Sequence, residues 1–371
     1  MQLSVVILNY CVPYHLYLCV DSVSKAVQNL DAEIIVADNA SKDNSEELIK
    51  SQFPEVQWIQ HQKNFGFSKG NNLAIQQAKG NNILLLNPDT FVGEDLFKSL
   101  LTEIEKITNL GALGVQLIDG RGNFLPESKR NFPSWNAVKS KFFGNGDSYY
   151  ASHVSIDSNA SVEVLVGAFM WMKRKTYLDV GGLDERYFMY GEDIDLSYQL
   201  AKKNKNFYFG EHQVVHFKGE STQKDKTYWK RFYKAMYLFY DKNFPSNRFT
   251  KYGIKLATSL VSLMKSKLSS TDKEFIQIEE YVLISSNQKL QQKLKNKLNS
   301  HVELCSVEAI QLNQKSLRCI IFDAEYMSYK EIIQQMSSLK DEKTYFRFVP
   351  RKANFMLGSD RSDTKGEVLI F

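Results

Sequence analysis

The sequence predicts an α/β protein in two parts, a doubly wound, nucleotide-binding type of sheet followed by a smaller α/β unit. Three observations predict it. Short apolar runs (LSVVIL, EIIVA, VQWIQ, ILLL) alternate with helical spacings, which implies parallel strands joined by right-handed crossovers. Three of these runs end in polar residues, at Asn9 and Tyr10, Asp38 and Asp89, on the carboxyl edge where open α/β sheets place their ligands. Beyond about Glu274 a second set of runs (YVLISS, HVELCSV, CIIFDA, TYFRFVP, NFMLGSD) alternates with helices again.

At 371 residues the chain is too long for one ordinary domain. The texture divides it into a first domain over 1–224, aromatic and basic helices with a linker over 225–273, and a small C-terminal domain over 274–371. Apolar residues make up 43% and charged residues 24%, with only 7 Pro, a profile that argues against a long disordered region. A net charge of +5 permits an anionic partner. No zinc-finger spacing, RNA motif or basic tail accompanies it, so no nucleic acid is expected. Cys11, Cys19, Cys305 and Cys319 are scattered, with no C-x-x-C pair, which fits a reducing compartment. The N-terminal apolar run is too short for a signal peptide, and no window is long enough to span a membrane. A cytoplasmic location is the expectation.

Residues 3–8 read as the first strand and residues 17–27 as the helix after it. Ile34 to Ala37 is the second buried strand, with Asp38 and Asn39 at its end. Asp43 and Glu46 have the spacing of a capping box opening the helix SEELIKSQ. VQWIQ is a third strand. Gly66 and Gly70 then bracket a turn into a helix near Ser68 that Gly80 ends; glycines there allow close approach of a phosphate, or serve turn geometry alone. Ile83 to Leu86 is a fully buried strand stopped by Asn87, Pro88 and Asp89, because Pro cannot donate to a sheet ladder. Asp89 fits a plain turn, or a carboxylate holding a divalent cation under a diphosphate.

A helix over 94–107 gives way to a polar, Gly-rich stretch over 119–161, long enough to be functional. VEVLVGAFMWMKR reads as a strand with Gly167 and Ala168 inside it, small residues that mark close approach by a ligand or backbone. The densest acid follows: Asp184, Glu185, Glu192, Asp193 and Asp195, with Glu192 and Asp193 opening a helix to about Lys203. The helix dipole accounts for one or two of these acids. Apolar surroundings of Tyr187, Phe188, Met189 and Tyr190 favour a carboxyl poised as a base. His216, in QVVHFKGES, is an ordinary core histidine or a partner to a carboxylate in a mixed oxygen and nitrogen metal site.

Taken in order, VVILNY, DNASKDNS, NFGFSKGNN, LLLNPD, GAFMWMKR, GGLDERYFMYGEDIDL and VHFKGES resemble the glycosyltransferase family 2 enzymes of the GT-A fold. The resemblance extends to their bacterial rhamnosyltransferase-like branch and covers roughly the first two-thirds of the chain. It implies a doubly wound mixed sheet and an inverting transfer of a sugar, such as rhamnose, from a nucleotide-diphosphate donor. The acceptor it implies is a glycan or polyprenyl-linked sugar in cell-surface polysaccharide synthesis. By position, Asp38 meets the nucleobase, and Asn9 and Tyr10 line the nucleotide pocket beside Asn39. Gly66, Phe67 and Gly70 belong to the same donor pocket, as do Gly167, Ala168 and Glu192. Asn87 and Asp89 stand where the family keeps an Asp-x-Asp motif, so Asp89 is the metal ligand and Asn87 at most a ribose contact. His216 matches a position that completes the metal shell in some members, around Mg²⁺ or Mn²⁺. Asp193 falls on the catalytic base.

TYWKRFYKAMYLFYDKNF carries aromatics along one helical face and Lys230, Arg231 and Lys234 on the other. It fits a core-packing helix with a basic back and a membrane-surface helix alike. YGIKLATSLVSLMKSKL suits an anionic membrane surface, which places the protein peripherally at the inner face of the cell membrane. The C-terminal unit, which the resemblance does not cover, is vaguely Rossmann-like, with Ser328 and Glu331 spaced as a capping box; docking a partner is its expected job. Two rival functions share the strand-end pattern: a nucleotidyltransferase, and a non-catalytic nucleotide-sugar-binding scaffold. Cys11, Val12 and Pro13 lack the glycine-rich basic loop the first would want, and the second would be expected to lose the Asp193 carboxylate first.

Overall fold

β1 (Leu3–Asn9) is buried along its whole length because it lies between two parallel neighbours, β2 (Ala32–Asp38) and β4 (Asn82–Leu86). The computed structural model describes residues 1–133, 149–220, 226–244, 277–310, 316–361 and 364–371. Within them the chain runs from β1 through α1 (Pro13–Ala26), β2, α2 (Ser45–Gln52), β3 (Gln57–Gln60), α3 (Gly66–Ile75) and β4 to β5 (Thr90–Phe91). It continues through α4 (Leu96–Ile104), β6 (Leu110–Ile118), β7 (Asn159–Val162), β8 (Phe169–Lys173), α5 (Arg174–Asp179), α6 (Glu192–Ala201) and β9 (Lys205–His216). The strand order is β3-β2-β1-β4-β8-β6-β9-β5, with β7 added on β9. The β4–β8, β6–β8 and β5–β9 pairs are antiparallel, which makes this the doubly wound mixed sheet that the GT-A resemblance implied.

Several local details differ from the sequence pattern. α1 begins at Pro13 rather than Tyr17, since Pro at the first helical position is already set in a helical φ. Asp43 makes no capping box: its carboxylate accepts the Ser45 N–H at 3.0 Å, and the residue before α2 is Asn44, without a side-chain cap. α3 ends at Ile75, and Gly80 instead packs on β1, where a methyl would lie 2.5 Å from the Ser4 nitrogen. Gly167 and Ala168 lie in the turn before β8, outside the strand. β6 is the strand the periodicity does not flag. Gly111 and Gly114 interrupt its apolar run because Asn206 and Leu165 fill the space a side chain would take.

α7 (Lys226–Asn243) buries Ala235, Phe239 and Tyr240, packing with Tyr187, Ile194 and Tyr198, while Lys230 and Lys234 stay exposed. The second amphipathic segment, 252–268, lies outside the described residues. Among the described residues no helix is long and apolar enough to cross a membrane.

The C-terminal sheet comprises β10 (Glu280–Ile284), β11 (Val302–Cys305), β12 (Arg318–Asp323), β13 (Thr344–Val349), β14 (Phe355–Gly358) and β15 (Glu367–Ile370), in the order β11-β10-β12-β13-β14-β15. Its first four strands are parallel, and β14 and β15 add antiparallel. α8 (Gln288–Leu298) is capped by Asn287, and α9 (Tyr329–Leu339) by the Ser328–Glu331 capping box. This unit is not tethered loosely. One hydrophobic cluster runs from Phe91 and Phe217 of the first unit into Phe322, Tyr329 and Phe348 of the second. Glu94 accepts the N–H groups of Tyr329 and Lys330 at 2.7 and 2.9 Å, so a carboxylate of one unit caps a helix of the other.

Candidate functional site

Parallel strands deliver their last residues to one edge, and here Asn9 pairs in register with Asp38. The Asn9 amide donates to Asp38 Oδ1 at 2.7 Å. Asp38 Oδ2 accepts the Ser41 N–H at 2.8 Å and the Gln60 amide at 2.9 Å. Tyr10, one residue on, is 40% exposed at the rim. The Asn39 amide donates to the Gly66 carbonyl at 3.0 Å, and its oxygen accepts the Phe65 N–H at 3.3 Å and faces His61 Nδ1 at 3.0 Å. Gly66 is left-handed (φ +80°), and a methyl on it would lie 2.3 Å from the Phe188 carbonyl. Phe67 donates its N–H to that same carbonyl at 2.7 Å. At Gly70 an added methyl would lie 2.7 Å from Leu8. Close packing against Phe188 and β1 is therefore sufficient reason for both glycines.

The β5–β9 ladder places Thr90 opposite His216, which brings Asp89 and His216 together. Asp89 Oδ1 lies 3.4 Å from His216 Nε2, and the Asn87 amide nitrogen lies 3.3 Å from that ring nitrogen. Both Asp89 Oδ1 and Asn87 Oδ1 are buried without a hydrogen-bond partner, as is His216 Nδ1. Burial alone would raise the Asp89 carboxyl, but His216 and His15 together hold it below the usual carboxylate range. Burial pushes His15 itself down to about 4, so it is neutral at pH 7. Orphaned oxygens beside an imidazole fit a hard divalent cation. Among the described residues no third His, Cys, Asp or Glu joins them as a ligand, so any remaining coordination belongs to water and substrate oxygens.

The acids of residues 184–195 do not form one cluster. Asp184 pairs with Arg186 at 2.7 Å and Lys242 at 2.8 Å, Asp195 with Lys242 at 2.6 Å, and Glu185 with Lys69 at 3.2 Å. Glu192 and Asp193 remain. Tyr190 (φ 72°) and Gly191 (φ 81°) are consecutive left-handed residues, and this turn feeds both acids into the first turn of α6. Asp193 Oδ2 accepts Arg130 Nη2 at 2.6 Å and the Gly167 N–H at 3.3 Å. Arg130 is a site residue the sequence pattern does not reveal. It is buried and also donates to the Leu165 carbonyl at 2.8 Å and to the Tyr149 hydroxyl at 3.1 Å. Burial, then the neighbouring Asp193 charge, push the Glu192 carboxyl up to about 8. Since its unfolded value is near 4.5, the folded state holds this proton more tightly, and stability falls as pH rises from there through about 8. Glu192→Gln is therefore expected to melt above wild type at pH 9 and with it at pH 4. Equal melting temperatures at pH 9 would refute the burial argument.

Residues 167 and 168 tie the two halves together. The Gly167 N–H reaches the Asp193 carboxylate, and the Ala168 carbonyl accepts the Asn87 N–H at 3.0 Å. A methyl on Gly167 would touch the Phe67 ring at 3.6 Å and Asp193 Cβ at 3.5 Å. The Asp89 edge, Asp193 and Phe67 of α3 thus meet around one two-residue turn.

Residues 4–166 match the family described as Glycosyl transferase family 2. The N-acetylglucosaminyl-diphospho-decaprenol L-rhamnosyltransferase of Mycobacterium tuberculosis (strain ATCC 25618 / H37Rv) is 28% identical over 257 residues, covering 64% of this chain and 83% of that protein. Rhamnosyltransferase WbbL of Escherichia coli (strain K12) is 26% identical over 192 residues, covering 49% of this chain and 72% of that protein. Among solved structures, the mannosyltransferase PcManGT from Pyrobaculum calidifontis in complex with GDP-Man and Mn²⁺ aligns with a TM-score of 0.46 at 13% identity, over 73% of this chain and 76% of that one. From the family match and these relatives, residues 4–166 form a glycosyltransferase family 2 domain, and the chain is similar to rhamnosyltransferases.

Proposed function

We propose that this chain is a divalent-cation-dependent, inverting glycosyltransferase. It takes a rhamnose-type sugar from a nucleoside-diphosphate donor and adds it to a glycan or polyprenyl-linked acceptor at the inner membrane face. The observation that carries this reading is the Gly167–Ala168 turn, which sets the Asp193 carboxylate and the Asn87–Asp89 edge on either side of one short segment. Two of the relatives named above are rhamnosyltransferases, and the name of one carries a lipid-diphosphate-linked sugar.

In this reading Asn9, Tyr10, Asp38 and Asn39 form the nucleotide edge, with Asp38 meeting the base. Asp89 and His216 hold Mg²⁺ or Mn²⁺, which supplies charge to offset the departing diphosphate. Asp193, oriented by Arg130 and the Gly167 N–H, accepts the proton of the incoming acceptor hydroxyl. Glu192 lies beside it among the donor contacts. The mechanism needs no covalent enzyme nucleophile, because a single in-line displacement inverts the anomeric carbon.

A panel of nucleoside-diphosphate sugars tested by thermal shift, with and without Mn²⁺, checks the donor claim. A ligand at a hundred times its Kd stabilises by roughly 2.7 kcal/mol, enough to read as a melting shift. A deoxyhexose donor is expected to stabilise only when the cation is present. If no member of the panel stabilises, or if all do so equally without cation, the reading is wrong.

A further inference from the structure

Glu220 lies four residues beyond His216, is buried, and has no part in the transfer chemistry described above. Lys218 (φ 59°) and Gly219 (φ 86°) turn the chain through two left-handed residues, and the Glu220 side chain that follows is enclosed by protein. Its two oxygens face different parts of the molecule. Oε1 accepts the Gly366 N–H at 2.8 Å, and Oε2 lies 3.6 Å from His15 Nε2. Gly366 belongs to the C-terminal unit, just ahead of β15, and a methyl there would meet Glu220 Oε1 at 2.8 Å and the Gly358 carbonyl at 2.4 Å. His15 belongs to α1 and sits edge-on to Phe217, with centroids 5.3 Å apart. The C-terminal unit makes a second approach through Phe348, whose ring lies 5.6 Å from Phe217 and 5.1 Å from Phe91. Phe217 follows His216 directly, and Phe91 is two residues past Asp89. Phe348 of the C-terminal unit thus backs both β5, which starts directly after Asp89, and the residue that follows His216.

We propose that the C-terminal unit is a working part of the donor site: Gly366 positions Glu220, and Glu220, with Phe348 behind Phe217 and Phe91, anchors the turn after His216, so that Asp89 and His216 stay in register for a cation and a diphosphate. Outer partners of this kind decide the orientation of the groups that touch a metal. Glu220 is a positioning residue, and the inference rests on the metal reading of the preceding subsection.

The test uses the full chain, Mn²⁺ with inorganic pyrophosphate as the probe, and the paramagnetic resonance signal of free Mn²⁺ as the readout, with melting temperature in parallel. Glu220→Ala and Gly366→Ala are expected to weaken Mn²⁺ binding by about tenfold, the lower end for loss of an outer partner. Glu220→Gln keeps an acceptor for the Gly366 N–H and is expected to stay close to wild type. Arg121→Ala removes a different contact between the units, to the Asp341 and Glu342 carbonyls at 2.9 and 2.7 Å, and is expected to leave the affinity unchanged. Wild-type affinity in both Glu220→Ala and Gly366→Ala overturns the inference alone. So does a loss in Glu220→Gln equal to that in Glu220→Ala, or an equal loss in Arg121→Ala. A wild-type protein that takes up no Mn²⁺ removes the metal reading and this inference with it.

Discussion

Asp193→Asn is expected to lower sugar transfer by at least about a hundredfold while donor binding stays near wild type, since a positioned general base contributes about 10²–10⁴ in rate. The substitution is close to isosteric, and Asn keeps an oxygen that can accept from Arg130 or from the Gly167 N–H. It also removes the counter-charge of a buried guanidinium, and breaking a buried pair from one side costs roughly 3–5 kcal/mol. A fall in activity could therefore reflect lost folding. The double variant Arg130→Met with Asp193→Asn separates the two effects. With both charges gone, its melting temperature is expected to recover towards wild type while the transfer rate stays low. Turnover unchanged in the single variant, or restored in the double one, removes Asp193 from proton transfer. Initial rates at saturating donor, run beside melting curves, decide it.

The residues that the sequence makes legible are those whose reason is local. Asn9, Asp38, Asn87 and Asp89 each end an apolar run, and a run that stops in a polar residue can be read without knowing its neighbours. Glu192 and Asp193 open a helix behind Gly191, another local signature. Arg130 is invisible for the opposite reason. It sits in a stretch without periodicity, and its partner is 63 residues away, so no spacing rule connects them. β6 is hidden because Gly111 and Gly114 break the apolar run, and the packing that requires them comes from Asn206 and Leu165, far along the chain. The acid cluster misleads in a different way: five carboxylates close in sequence are drawn apart by Lys69, Arg186 and Lys242, which leaves Glu192 and Asp193, with Asp193 bonded to Arg130 and Gly167. The join between the two α/β units is unreadable because Phe91, Phe217 and Phe348 look like ordinary core residues wherever they pack.

Asp89→Ala is expected to abolish the cation-dependent part of donor binding, a loss of at least about a hundredfold, beyond the 10–100-fold that an outer partner costs. The alternative is that Asn-Pro-Asp is only a turn, and the structure gives that alternative some weight, because the Asp89 carbonyl accepts the Phe217 N–H at 2.9 Å. A backbone contact of that kind survives any side-chain substitution, so Asp89→Asn discriminates. It keeps the shape and the turn propensity and removes the negative charge. If the residue serves the turn, Asn binds donor as wild type does, and only Ala perturbs the ladder. If the residue holds a cation, both variants lose the difference between donor affinity with and without Mn²⁺ in calorimetry. The pH dependence adds an independent check. His216 and His15 hold the Asp89 carboxyl below its ordinary range, so its charge persists to lower pH than that of an unperturbed carboxylate. The partner residue gives a second check: His216→Gln removes the imidazole 3.4 Å from Asp89 Oδ1 but leaves the Phe217–Asp89 backbone contact in place, and it is expected to weaken the cation-dependent part of donor binding as well.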